Sequence, residues 1–251
     1  MIFYQKPAAL NRERHRDLKL AAATGDFSFA RSTNSLLIAA TEIADAALSY
    51  PVVFVGKPGG PFTLAAMVGL SEQENLFLTA DGAWDADSYI PAFARRYPFV
   101  LAEAEDGGDN LTVCVDEAFT GLNGTEGEPL FDADGKESPM LQGAVDFLRL
   151  FHMEMRNTHL FAQRLAELDL LAAKTVEVER GGKKQVVDGI FIVDAQKLHA
   201  LDDAVLARLV RSGDMALIDT HLLSLRQVPR LAARLDRQAQ GDGGAASSTS
   251  A

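Results

Sequence analysis

Between Met140 and Leu170 apolar side chains recur at Leu141, Val145, Leu148, Met155, Ala162 and Leu165. That spacing predicts one long helix or two collinear ones with a single buried stripe. Upstream the rhythm changes. VVFV at 52–55, FTLAAMVGL at 62–70, NLFLT at 75–79, FVLAEAE at 99–105 and NLTVCVDE at 110–117 are short apolar runs punctuated by Gly, Pro, Asp and Asn. They predict strands, and their close spacing predicts an antiparallel meander. A helix is expected over 41–50, opened by Thr41 as N-cap and stopped by Pro51, and a shorter one over 85–97. The glycine-rich stretch 120–137 is expected to be a long loop.

Residues 174–194 hold two strand-like runs about Gly181 and Gly182, which predicts a β-hairpin. A helix is then expected over 194–214, closed by Gly213, a strand over 215–220, and a final amphipathic helix over 221–237, interrupted near Pro229. The first forty residues lack a period and are expected to wrap the main body. The end of the chain, GDGGAASSTSA, has the composition of disordered polypeptide. These elements make one globular domain over 1–238 and a disordered tail over 239–251. The fold class expected is mixed α/β of the α+β kind, a largely antiparallel sheet flanked by helices.

A chain of 251 residues buries about three quarters of its unfolded surface, so its core needs no disulfide or metal. With 47% hydrophobic and 24% charged residues, no apolar run approaches the roughly 18 residues of a membrane span, which excludes a transporter permease. The opening MIFYQKPAALNRERHRDLKL does not read as a secretory signal, so a cytoplasmic protein is expected. The single cysteine, Cys114, lies in an apolar run and is expected to be a buried strand residue. A net charge of −11 repels phosphate backbones, and the cluster Arg12, Arg14, His15, Arg16 and Lys19 is broken by Glu13 and Asp17; nucleic acid is not expected as a partner.

Several motifs have the letters of a chemistry without its spacing. His15-Arg16-Asp17 mimics a kinase catalytic loop, but Ala22 stands where the magnesium-binding Asn belongs, and the preceding residues cannot hold a nucleotide lobe. His15 and Asp17 could join a distant His as an iron-binding triad, yet their charged surroundings suggest a solvated face. His152 and His159 lie two helical turns apart, about 10.5 Å, too far to share a metal unaided. DADGKES at 132–138 has Gly135 in the wrong place for a calcium loop and is expected to be a tight turn. GKPGGP at 56–61 lacks the Lys-Ser/Thr of a P-loop and is expected to join two strands. No cofactor or metal is therefore expected. The densest unusual segment is DGAWDADSYIPAFARRYPF. Here Trp84, Tyr89, Arg95, Arg96 and Tyr97 could form a ligand site with aromatic walls and a guanidinium clamp for a carboxylate. The alternative is that the arginines pair with internal acids such as Asp116 and Glu117 while the aromatic rings fill core.

Taken together, HRDLKL, FSFA, YPVVF, ENLFLTADGAW, YIPAFARRYPF, CVDE, LFDADGK, KLHALDD and HLLSL give a chain that resembles the SapC family of proteobacterial proteins over nearly its whole length. The block YIPAFARRYPF is the most specific of these. The family name derives from a locus linked to a paracrystalline surface layer. Members often neighbour outer-membrane TonB-dependent receptors and tryptophan-halogenase-like flavoproteins, which implies a part in nutrient uptake or modification. The resemblance assigns no site residue. The expectation is a non-catalytic binding or accessory protein for a small anionic or peptidic ligand or a partner protein. The alternatives are a metal-dependent, oxygenase-like enzyme and a surface-layer structural protein.

Overall fold

A computed structural model describes residues 2–21, 25–103, 111–180 and 183–246. The first half contains β1 (Pro7–Ala9), β2 (Lys19–Leu20), β3 (Ser35–Leu37), α1 (Ile43–Ser49), β4 (Val52–Gly56), β5 (Phe62–Met67), α2 (Ala92–Arg95), β6 (Phe99–Glu103), β7 (Leu111–Asp116), β8 (Leu122–Asn123) and β9 (Glu128–Pro129). The second half contains α3 (Pro139–Glu167), the hairpin β10 (Leu171–Arg180) and β11 (Lys183–Val193), then α4 (Ala195–His199), α5 (Asp203–Ser212), α6 (Asp214–Ser224) and α7 (Val228–Ala246). The expected α+β class is the one observed.

Among the described residues all strand pairing is antiparallel, but it is divided among three sheets: β10-β11-β4-β5-β3, β1-β7-β6 and β8-β2-β9. The single meander expected over 52–117 is thus broken between β5 and β6. The N-terminal segment wraps the body by contributing one strand to each sheet. Helix α3, with 29 residues and a length of about 43 Å, joins two cores. Its first half places Leu141, Val145 and Leu148 against Phe99, Val115 and Leu130. Its second half places Phe151, Phe161 and Leu165 in the main core with Phe54, Leu64 and Leu231.

Several local expectations are corrected. Asn75–Thr79 is not a strand: the Asn75 side chain takes the Phe77 N–H locally and donates to the distant Ala30 carbonyl, so side-chain bonds stand in for a ladder at its start. Over 85–97 only α2 is helical, because the Asp85 carboxylate accepts the Asp87 N–H in a turn and Pro91 disfavours helix at Ile90. The helix expected over 194–214 is two, α4 and α5, separated at Ala200–Asp202. Residues 215–220 form the middle of α6, because the left-handed Gly213 (φ 83°) turns the chain straight into a new helix. Thr41 is exposed and caps nothing; Glu42 instead reaches back to the Ala39 N–H. Cys114 is half-buried in β7. Helix α7 runs to Ala246.

One contact closes the main sheet. β11 and β4 pair only at Ile190–Val55 and Phe191–Phe54, so the same register would go on to place Ile192 opposite Val53 and Val193 opposite Val52. There the His221 ring stands between the strands. Its Nε2 accepts the Val193 N–H at 3.1 Å and its Nδ1–H donates to the Val52 carbonyl at 2.9 Å, while Ser224 Oγ accepts the Val52 N–H at 3.0 Å. Helix α6 thus supplies the hydrogen bonds that the diverging strands cannot give each other. A ring that accepts at one nitrogen and donates at the other must be neutral, and burial lowers its pKa from 6.5 to about 4. Below about pH 6.5 the unfolded chain takes up a proton that the folded chain refuses until about pH 4, so stability falls as pH drops through that window. The loss reaches roughly 3 kcal/mol. Urea unfolding followed down this range is expected to show that decline and a flatter profile for His221→Gln; an equally steep variant would place its source elsewhere.

Candidate functional site

The five residues singled out by sequence are distributed across an interior hub. Trp84, 6% exposed, donates from Nε1 to the Tyr50 hydroxyl at 2.9 Å, and that hydroxyl donates to the Tyr89 carbonyl. The Tyr89 hydroxyl donates to the buried Glu42 carboxylate at 2.8 Å, which also accepts the Ala92 N–H at 2.7 Å. Burial, and secondarily the Glu42 charge, push the Tyr89 phenol up to about 12, so it stays a donor. Arg95 is exposed and folds back onto this chain, donating to the Ile90 carbonyl and the Tyr89 hydroxyl.

Arg96 and Tyr97 face a second group. The Arg96 guanidinium lies over Phe93 at 4.1 Å and Phe151 at 5.3 Å, and burial lowers its pKa. Tyr97 stacks on Phe29 at 4.1 Å and donates to Asp116 at 3.1 Å. Phe27 links the two groups, touching Trp84 and Phe29 edge-on or tilted. Neither arginine pairs with Asp116 or Glu117, the partners considered from sequence. Asp116 accepts the N–H groups of Gln5, Lys6 and Ala118, while Glu117 holds Lys6, Arg14 and His15. These bonds depress both carboxylates, against the opposing effect of burial.

The remaining sequence candidates take quieter roles. His15 is buried, accepting the Asn11 N–H at Nδ1 and facing Glu117 at 3.2 Å, while Asp17 is exposed. Asp132 closes the expected tight turn by accepting the N–H groups of Asp134 and Lys136. Among the described residues no three His, Cys, Asp or Glu side chains converge as a metal site. None of the described helices is long and apolar enough to cross a membrane.

A separate concavity of about 680 Å³ opens between the β4–β5 loop and the C-terminal end of α3. Pro58 and Pro61 line one wall, and His159, Gln163 and Glu167 line the other. Phe62 and Phe191 pack edge to face at 4.8 Å in its lining. Asp169 stands at the rim because of how α3 ends. The Leu170 N–H bonds the Leu165 carbonyl and the Asp169 N–H bonds the Ala166 carbonyl, with Asp169 left-handed at φ 53°. This is a Schellman closure, sealed by contact between buried Leu165 and Leu170, with Asp where Gly is usual. Its carboxylate meets the Lys197 ammonium at 2.6 Å. GKPGGP was legible as the loop. The opposing residues lie about a hundred positions away, with no local signature.

The SapC family model matches residues 10–231. The chain belongs to the SapC family. No curated protein and no solved structure matches it. In this SapC-family chain the segments that carried the resemblance are those with special internal bonds. FSFA, YPVVF, ENLFLTADGAW and YIPAFARRYPF build the aromatic hub, CVDE supplies Asp116 and Glu117, and HLLSL supplies His221 and Ser224. Tyr50→Phe removes the acceptor of the Trp84 indole and the donor to the Tyr89 carbonyl. It is expected to cost about 1–3 kcal/mol in chemical denaturation, with Trp84 emission reporting the transition; a loss near zero would show that the hub does not depend on this hydroxyl.

Proposed function

We propose that this SapC-family chain is a non-catalytic binding or accessory protein, acting in the cytoplasm, that takes a small ligand in the cleft between Pro58–Phe62 and the end of α3. The observation that carries this reading is the cleft itself. Its volume, about 680 Å³, lies in the range of small-molecule sites, and it combines an aromatic surface with a few polar groups. Trp84, Arg96 and Tyr97 are engaged with internal partners, which suits a scaffold better than a contact surface. The TonB-receptor and halogenase neighbourhoods implied by the family resemblance fit an accessory role toward a nutrient-sized molecule.

A second reading keeps the sequence-based site in reduced form. Arg95 is exposed beside Tyr89, so an anionic or peptidic ligand, or an acidic partner surface, would meet Arg95 first. The two readings separate experimentally. A Cβ at Gly60 meets nothing closer than 3.4 Å, so Gly60→Leu occupies the cleft with little strain on its neighbours. Saturation-transfer NMR with a library of small aromatic and aliphatic fragments is expected to give hits on the wild type that vanish in Gly60→Leu and survive Arg95→Ala. Hits with the opposite dependence would move the site to Arg95, and a library without hits would overturn the cleft.

A further inference from the structure

We infer that the cleft selects a cation carried on an apolar ring or chain, in the manner of an aromatic amine. This rests on the cleft being the binding site and adds the chemical class of its ligand. Three features of the same space agree. Phe62 and Phe191, 8% and 7% exposed, contribute ring surface together with Leu171 and the two prolines, which suits an apolar body. The charged groups lining it are Glu167 and Asp169, and none of its described lining residues is Lys or Arg. Finally, Ala166 and Glu167 are the closing residues of α3, so the negative end of a long helix dipole adds to the acidic rim.

Two of the nearby cations already sit on carboxylates, and Lys57, next to Pro58 on the β4–β5 loop, is exposed and outside the lining. Arg164 makes two 2.8 Å bonds to Asp214, a buried carboxylate at the start of α6. Lys197 is the other, and its ammonium sits on Asp169. It occupies that carboxylate as a ligand's ammonium would, and because its side chain is 43% exposed it can swing away into water. The Asp169 carboxylate is itself 85% exposed, which leaves its remaining lone pairs accessible. Glu167 accepts one bond from Gln163 at 2.9 Å, which fixes it along the helix and leaves its second oxygen open to a donor. An anionic ligand would meet two carboxylates and a helix C-terminus, with no Lys or Arg in the described lining and the His159 imidazole as its one basic side chain.

The test is a charge series on one skeleton: phenethylamine, phenethyl alcohol and hydrocinnamate, titrated into the full chain by calorimetry and by amide chemical shifts. The amine is expected to bind roughly tenfold more tightly than the alcohol, and hydrocinnamate more weakly than either. Combining Glu167→Gln with Asp169→Asn should erase the gap between amine and alcohol, since Asn keeps the left-handed preference at 169 and removes only the charge. Lys197→Met should strengthen the amine by freeing Asp169. Equal binding of alcohol and amine in the wild type, or a gap that survives the double variant, would overturn the cation class while leaving the cleft as a site. Shift changes confined to residues outside the cleft, or no binding by any of the three, would overturn both.

Discussion

The imidazole of His221 is the interaction on which the rest of the main sheet depends. Two strands that pair at Ile190–Val55 and Phe191–Phe54 separate beyond them, and a side chain from α6 fills the gap with one acceptor and one donor. A buried N–H and a buried carbonyl left open there would each cost about 1–3 kcal/mol. The wedge therefore lets β4 and β11 splay without leaving those groups bare. It also fixes α6 against the sheet, and through the Arg164–Asp214 bonds it fixes where α3 ends. The cleft lies at that end.

The interior hub explains why the segment from Trp84 to Tyr97 looks like a site from its letters. Aromatic rings with polar ends and adjacent arginines are what a carboxylate-binding pocket uses, and they are equally what a chain uses to bury tyrosine and tryptophan with their polar atoms satisfied. Composition is identical in the two cases. The letters do not carry the direction of each side chain; in the structure the indole points at Tyr50, the Tyr97 phenol at Asp116, and the Arg96 plane lies on Phe93.

Helical periodicity in 140–170 and the paired runs of 174–194 were readable because both signals are local and long. The split of the expected meander was not, since nothing local in 52–117 says that the β6–β7 pair joins β1 rather than β5. MALIDT is apolar enough for either a strand or a buried helix, and the glycine before it, readable as a stop, also starts the next helix. The cleft was invisible for a simpler reason. Phe62, Glu167 and Phe191 come from three separate elements, and only the closed sheet brings them to one space.

The threading of the N-terminal segment has a consequence for the order in which the molecule can be made. Pro7–Ala9 pairs with Cys114–Asp116, and Lys19–Leu20 is held between Leu122–Asn123 and Glu128–Pro129. Residues 7–20 therefore stay without their strand partners until about a hundred further residues have followed. The main sheet waits longer, because β4 gains its neighbour β11 and its His221 bridge only from the last quarter of the sequence. Loop-closure entropy over such spans makes assembly late and concerted. A nascent chain of this kind offers apolar strands to chaperones for most of its synthesis, and a truncation after α3 would lack both strand and bridge on the open side of β4.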